Sequence, residues 1–417
     1  MNYKEYLRSE LVPAFGCTEP IAIAFTAAKA SEVLGQAPER FLAKLSGNII
    51  KNAHSVNVPG TLGRKGIEIS VAAGGLLGDA SKGLEVLASI DKSQLDACDR
   101  FIEEKRIVTE LKPDVANLYI EIRAEKGQES ATVIVQGGHT NIVEIRKNDE
   151  LIFENLLEQS EEAKVDFSFD KIYRFASEED YADIKDIFSR QIEYNMAIAE
   201  EGLKNDWGSN IGSLILETSP NNIQEKMAAY ASAGSDARMS GAENPVVINS
   251  GSGNQGITVS VPIIVYAQEN PKDEDTLYRA LIFANLIGLY MKQGIGKLSA
   301  YCGAVSAASA SIAGIAFYNQ EPQETIALTL SNALAGNSGI ICDGAKASCA
   351  MKIASSIRNA WLAYQQAKTG NSFNPGDGIV MDDIDQTIRT VSNIARYGMK
   401  STDEVILNEM IGQEYQE

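Results

Sequence analysis

The sequence predicts an α+β fold in which a mixed-sheet α/β domain is joined to a larger, Ala/Gly-rich helical domain. Three observations point there. At 417 residues the chain exceeds what one small core needs and accommodates two domains. Between Arg106 and Ile152, short β-branched or alternating runs are separated by Lys-Pro-Asp and Gly-Gly turns, the pattern of a sheet. From about Tyr194 onward the pattern is helical and dense in Ala, Gly and Ser, above all at 227–258 and 294–350, so helices can approach closely.

Taken in order, residues 3–35 read as helix interrupted by Pro13, Gly16 and Pro20, with Ile21–Val33 rich in alanine. This N-terminal segment, 1–35, is expected to pack on the C-terminal domain. The α/β domain is expected at 36–190. It holds a strand-like passage from Phe41 to Val58 ending at Pro59-Gly60-Thr61, and a packed helix at Ile67–Leu77. Strands follow at Ile107–Leu111, Leu118–Ile122, Thr132–Val135 and Asn141–Ile145. Residues 155–192 are acidic and read as surface helices and a linker. The helical domain fills 191–417, its glycine clusters NSGSGNQG and GNSGIICDGA marking loops at a working face.

The balance of 37 Lys and Arg against 56 Asp and Glu, a formal charge of −19, argues against nucleic acid or an anionic membrane as principal partner. It also repels anions at long range, so a bound carboxylate needs a local pocket of backbone amides or an arginine. The opening MNYKEYLRSELVPAF lacks the apolar core of a secretory signal. The most apolar stretches, such as Ile257–Ala267 and Gly303–Phe317, are too short or too rich in small residues for a bilayer. The expected location is the cytoplasm, where five cysteines point to metal binding, catalysis or burial rather than disulfides.

Cys302 in LSAYCGAV, Cys342 in GIICDGA and Cys349 in KASCAMK each stand beside Gly or Ala, which admit a bulky inorganic group. On one helix Cys342 and Cys349 would be separated by about 10.5 Å of rise. That is too far for direct ligands of one cubane, so Cys342 is placed on the Gly-flanked turn and Cys349 in the helix that follows. Three such thiolates could hold a 4Fe-4S cluster with one iron left open as a Lewis acid. The spacing is not of the ferredoxin type, and three small thiols buried in an Ala-rich core are the alternative. Cys17, in FGCTEP, precedes a helix whose dipole is expected to lower its pKa, making it a base, a nucleophile or a fourth ligand. The plainer reading is a free thiol beside Glu19 and Pro20 at a helix start. Cys98, in LDACDRF, has no glycine around it and reads as structural.

A second constellation is Ser235-Asp236-Ala237-Arg238-Met239, followed by a loop with Ser250, Gly251, Ser252, Asn254 and Gln255. The loop is dense in donors and suits a carboxylate or a cluster sulfide. It is not a dinucleotide fingerprint. Arg238 could bind a substrate carboxylate or serve as a structural ion-pair partner. With only two histidines, His54 and His139, a multi-His metal site is excluded. No G-x-S-x-G elbow supports a serine hydrolase. Either histidine could donate to a substrate or relay a proton, or simply make a structural hydrogen bond. His54 joins Cys17 and Arg238 as a candidate catalytic residue.

Together FGCTEPIAIAF, KNAHSVNVPGT, GDASKGLEVL, GGHTNIV, SDARM, NSGSGNQGI, YCGAVSAASASIAGI and ICDGAKASCAMK resemble the L-cysteine desulfidases, relatives of the α-chain of iron–sulfur L-serine dehydratases. The resemblance spans nearly the whole chain. It implies an oxygen-labile 4Fe-4S cluster with Cys302, Cys342 and Cys349 as ligands, and β-elimination from a small amino acid. Cysteine would give sulfide, ammonia and pyruvate; serine would give water in place of sulfide. The ending EMIGQEYQE lacks the terminal cysteine of some serine dehydratases, so a ligand supplied by the tail is not expected.

Three other readings stay open. A pyridoxal phosphate enzyme could use Lys297, Lys346 or Lys352, although that cofactor is not expected. A non-catalytic amino-acid-binding protein would bind without turnover. A thiol hydrolase would pair Cys17 with a histidine. The expected partner is a small amino-acid substrate, with self-association possible through the Ala/Gly-rich helices.

Overall fold

A computed structural model describes residues 2–155 and 165–411. The N-terminal half runs α1 (Tyr3–Glu10), β1 (Pro13–Phe15), α2 (Thr18–Leu34), β2 (Arg40–Leu45), α3 (Gly47–Ala53), α4 (Ile67–Leu77) and α5 (Leu95–Glu103). Strands β3 (Ile107–Leu111), β4 (Tyr119–Lys126), β5 (Glu129–Gln136), β6 (Ile142–Lys147) and β7 (Glu150–Glu154) follow. The rest is α6 (Phe169–Glu178), α7 (Lys185–Lys204), α8 (Ile211–Thr218), α9 (Ile223–Met239), β8 (Pro245–Val247), α10 (Gly253–Glu269) and α11 (Glu274–Ile295). It closes with α12 (Gly303–Tyr318), α13 (Gln323–Asn337), α14 (Cys349–Lys368), α15 (Ile384–Asn393) and α16 (Lys400–Ile411). The architecture is α+β, as the sequence predicts.

The sheet has the order β3-β2-β4-β5-β6-β7, parallel only between β2 and β3. Alternation turns Phe41, Ala43 and Leu45 to one face, opposite Ala124, Ile122 and Ile120, which pair onward with Ala131, Val133 and Val135. All nine are buried. α2 lies on that face, with α4 against α2. A Cβ on Gly74 would stand 2.2 Å from the Ala24 carbonyl oxygen, so glycine is what lets the two helices touch.

Several boundaries differ from expectation. Strand-like character in Phe41–Val58 ends at Leu45, because Ser46 caps α3 by accepting from the Ile49 amide. The N-terminal segment divides: α1 buries Leu7 in the helical core, whereas α2 belongs to the core of the sheet. The apolar face of the sheet needs a cover, and the Ala-rich helix supplies it. Toward 190 the chain has already crossed over, since Val165, Phe167, Phe169, Ile172 and Phe188 are buried in the helical core. Part of the acidic linker, 156–164, lies outside the described residues.

One small ladder joins the two parts. β1 pairs antiparallel with β8, Pro13 opposite Val247 and Phe15 opposite Pro245. Two residues beyond Phe15 stands Cys17, and two beyond Val247 begins the Asn249–Ser252 turn. The ladder thereby sets the thiol beside the glycine-rich loop.

Candidate active site

A single cavity of about 90 Å³ gathers Cys17, Arg238, Ser250, Gly251, Ser252, Asn254, Gln255, Cys302, Cys342 and Cys349. Residues from 17 to 349 thus meet at one place. The thiols approach from distinct elements: Cys17 is the N-cap of α2, Cys302 the N-cap of α12, and Cys349 the first residue of α14. Cys342 lies in an extended loop pinned by the Tyr301–Ile341 bridge and by its own amide, which donates to the Ala300 carbonyl at 2.6 Å. Cys98 sits in the core of the sheet part, outside this cavity. All five cysteines are free.

The donor loop depends on an unusual backbone turn. Asn249 and Ser252 exchange amide–carbonyl bonds at 3.1 Å across a turn in which Ser250 and Gly251 have φ of 50° and 76°. A serine in the left-handed region costs energy. A buried amide network holds the turn: Asn249 donates to Asn285, which exchanges bonds with Gln191. Ser252 caps α10 by accepting from the Gln255 amide. A Cβ on Gly253 would stand 2.3 Å from Arg238 Nε, so glycine there lets the guanidinium lie against the start of α10.

Arg238 is 3 % exposed and forms no salt bridge among the described residues. Its Nη1 donates to Asn254 Oδ1 at 3.1 Å, and its Nε is buried without a partner. Burial pulls the guanidinium pKa down, against the opposing pull of Cys17 and Glu19. A buried cation without an anion is costly, and a ligand carboxylate is the natural complement. Its neighbour Asp236 is structural: it accepts from the Ser209 and Ile211 amides and caps α8.

Two expectations are corrected. The Cys17 thiol is not activated: burial, reinforced by Glu19, pushes its pKa well above the ordinary range, and the helix position does not offset that. Its Sγ donates to Glu19 Oε2 at 3.0 Å; Thr18 Oγ1 is 3.1 Å from the same oxygen and 2.9 Å from the Gly251 carbonyl. His54 is not in the site. It ends α3 exposed to solvent and does not line the cavity. The histidine in the cavity is His139, buried, with Nε2 lacking a partner, and burial holds its pKa below the usual value.

Lys292 was not legible as a site residue. It lines the cavity 3 % exposed, and burial brings its pKa down to about 8. The lysines weighed for a Schiff base are engaged: Lys297 with Glu10 at 2.9 Å, Lys346 with Ser55 at 3.0 Å, Lys352 with Asp343.

Among the described residues no three His, Cys, Asp or Glu side chains converge to hold a single metal ion. A polynuclear cluster asks for something else, thiolates spread around one space, and Cys302, Cys342 and Cys349 line one cavity. Burial, with Cys342 next, pushes the Cys302 thiol up to about 12, and burial also raises Cys349. Metal binding would displace those protons. The Lys346 amide donates to Cys349 Sγ at 3.5 Å. The donor set fits an iron–sulfur cluster.

The serine dehydratase alpha chain profile matches residues 81–408, which include Arg238, the donor loop and all three of these thiols. The chain belongs to the serine dehydratase alpha chain family. It is also similar over 98 % of its length to proteins called UPF0597 from Finegoldia magna, 45 % identical and covered to 99 %, and from Lachnoclostridium phytofermentans, 45 % identical and covered to 98 %. A UPF0597 protein from Bacteroides fragilis is 40 % identical, with 97 % of this chain and 96 % of its own length covered. No helix among the described residues is long and apolar enough to cross a membrane.

Proposed function

We propose that this serine dehydratase alpha chain family member is a cytoplasmic lyase that eliminates sulfide and ammonia from L-cysteine, or water and ammonia from L-serine, to give pyruvate. The observation that carries the reading is a buried arginine, without a salt-bridge partner among the described residues, lining the same cavity as three thiols. Cys302, Cys342 and Cys349 would hold a 4Fe-4S cluster, which when bound supplies a Lewis-acidic iron to the leaving group.

The chain's own residues do the rest. Arg238, with its free Nε, and the amides at the start of α10 receive the substrate carboxylate. Cys17 is the base. Its thiol donates to Glu19, and burial with that carboxylate favours the protonated form; the cationic Arg238 acts in the opposite sense, so the thiolate that serves as base is a minor form that Arg238 stabilises. The thiolate takes the α-proton; the pair from the Cα–H bond becomes the Cα=Cβ bond, and the Cβ–S or Cβ–O bond breaks with its own pair. Aminoacrylate then tautomerises and hydrolyses to pyruvate and ammonia, with no net oxidation. His139, neutral by burial, can exchange a proton with the departing group.

Anaerobic reconstitution with iron and sulfide, followed by pyruvate and sulfide assays on both amino acids, tests this. Cluster-dependent turnover supports it, and the faster substrate names the enzyme. Iron uptake without turnover of either amino acid overturns it.

A further inference from the structure

Beside the site lies a larger cavity of about 700 Å³. The two share Ser250, Lys292, Lys297 and Leu298 in their walls. Of the two shared lysines, Lys297 is neutralised by Glu10 at 2.9 Å. Lys292 is not: its Nζ donates to the Lys297 carbonyl at 3.3 Å, and no carboxylate among the described residues pairs with it. An ammonium carries three donors, so a nearly buried one with a single neutral acceptor is under-satisfied. Lys51 shows how this chain treats a buried lysine whose role is structural, being 1 % exposed and paired with Asp403.

Capping the end of α11 does not account for the placement. Lys292 stands in the last turn of that helix, but a lysine serving terminal carbonyls does so from the surface, keeping its ammonium hydrated. The overall charge of −19 supplies a second reason for a cation on the way in. A carboxylate crossing that negative field gains from a positive charge ahead of Arg238.

We propose that the larger cavity is the entrance to the site and that Lys292, in the shared wall, receives the carboxylate of the entering amino acid before Arg238 does. The substrate class rests on the lyase reading above; the anion-receiving role of Lys292 does not. The ligand chemistry is a small α-amino or α-keto carboxylate, held by a charge-assisted hydrogen bond.

The test uses anaerobically reconstituted wild type, K292M and K292R, measuring iron per chain, KM and kcat for both amino acids, and the shift in melting temperature caused by pyruvate. Iron content should be equal in all three. K292M should raise KM by about tenfold or more, the scale of one lost charged hydrogen bond, with a much smaller change in kcat, and K292R should restore most of it. The pyruvate shift should be present in wild type and lost in K292M. Unchanged KM together with an unchanged pyruvate shift overturns the proposal, as does a wild type indifferent to pyruvate. A fall in kcat alone without rescue by arginine places Lys292 at the reacting atoms instead, which overturns the entrance role. Loss of iron in K292M makes it a counter-charge of the thiolates and overturns that role as well. If wild type turns over neither amino acid yet shows a Lys292-dependent pyruvate shift, the lyase reading fails and this one stands.

Discussion

The sheet part and the helical part are both well filled, but they bury different chemistry. The inward face of the sheet carries Phe41, Ala43, Leu45, Ile120, Ile122 and Val133, all apolar, under an alanine-rich α2. The helical part buries Asn195, Asn285, Gln191, Asp236, Arg238 and Lys292 among its alanines. Four of these are satisfied by one another or by backbone. Among the described residues neither Arg238 nor Lys292 has a salt-bridge partner, and both line the cavity. Buried polarity that is satisfied specifies packing; buried charge left open marks where a ligand completes the protein.

Substitutions in each part test the contrast. Arg238→Met in the helical part should lower kcat/KM for the amino acid by about a hundredfold or more, from loss of a charged contact worth about 2–5 kcal/mol, while iron uptake stays intact; steady-state kinetics and iron analysis read both. Ile122→Ala in the sheet should do the reverse. It should cost about 2–5 kcal/mol of stability by denaturant titration and leave KM near the wild-type value.

Lys292→Met should stabilise the ligand-free protein. The folded pKa lies near 8, below the ordinary lysine value, so the stability tied to the neutral amine is present above about 10.4 and lost as pH falls through about 8. The melting temperature of the variant should therefore exceed that of wild type by a few degrees at pH 7, with the gap closing toward pH 10. Smallest of all, His54→Ala should leave kcat/KM within about twofold, the range of an exposed side chain away from the site. The same change at His139 should lower activity clearly; a side-by-side assay separates them.

Much of the site was legible because its residues carry local signals. NSGSGNQG announces a donor loop, and the Gly- or Ala-flanked cysteines announce space around a thiol. The placement of Cys342 in a loop and Cys349 on a helix followed from helical rise once both were taken as ligands of one cluster. What could not be read depended on the third dimension. His54 and His139 both sit in polar motifs, and only the fold shows that one of them faces water. The expectation of a lowered Cys17 pKa failed because helix position is visible in sequence, whereas burial beside Glu19 is not. Lys292 lies in an ordinary amphipathic stretch with nothing to mark its ammonium as unpaired. Likewise, alanine content says that α2 packs tightly without saying against what.

The pairing of Lys51 with Asp403 has a consequence for the order in which the molecule is completed. Lys51 also donates to the carbonyl of Cys342 at 3.3 Å, and α16, which carries Asp403, lays Leu407 over Gly47 at the start of α3. During synthesis α16 is the last described helix to leave the ribosome. Until it arrives, the lysine beneath the cysteine loop lacks this counter-ion. α16 thus acts as a latch on a compartment whose other walls are translated before it.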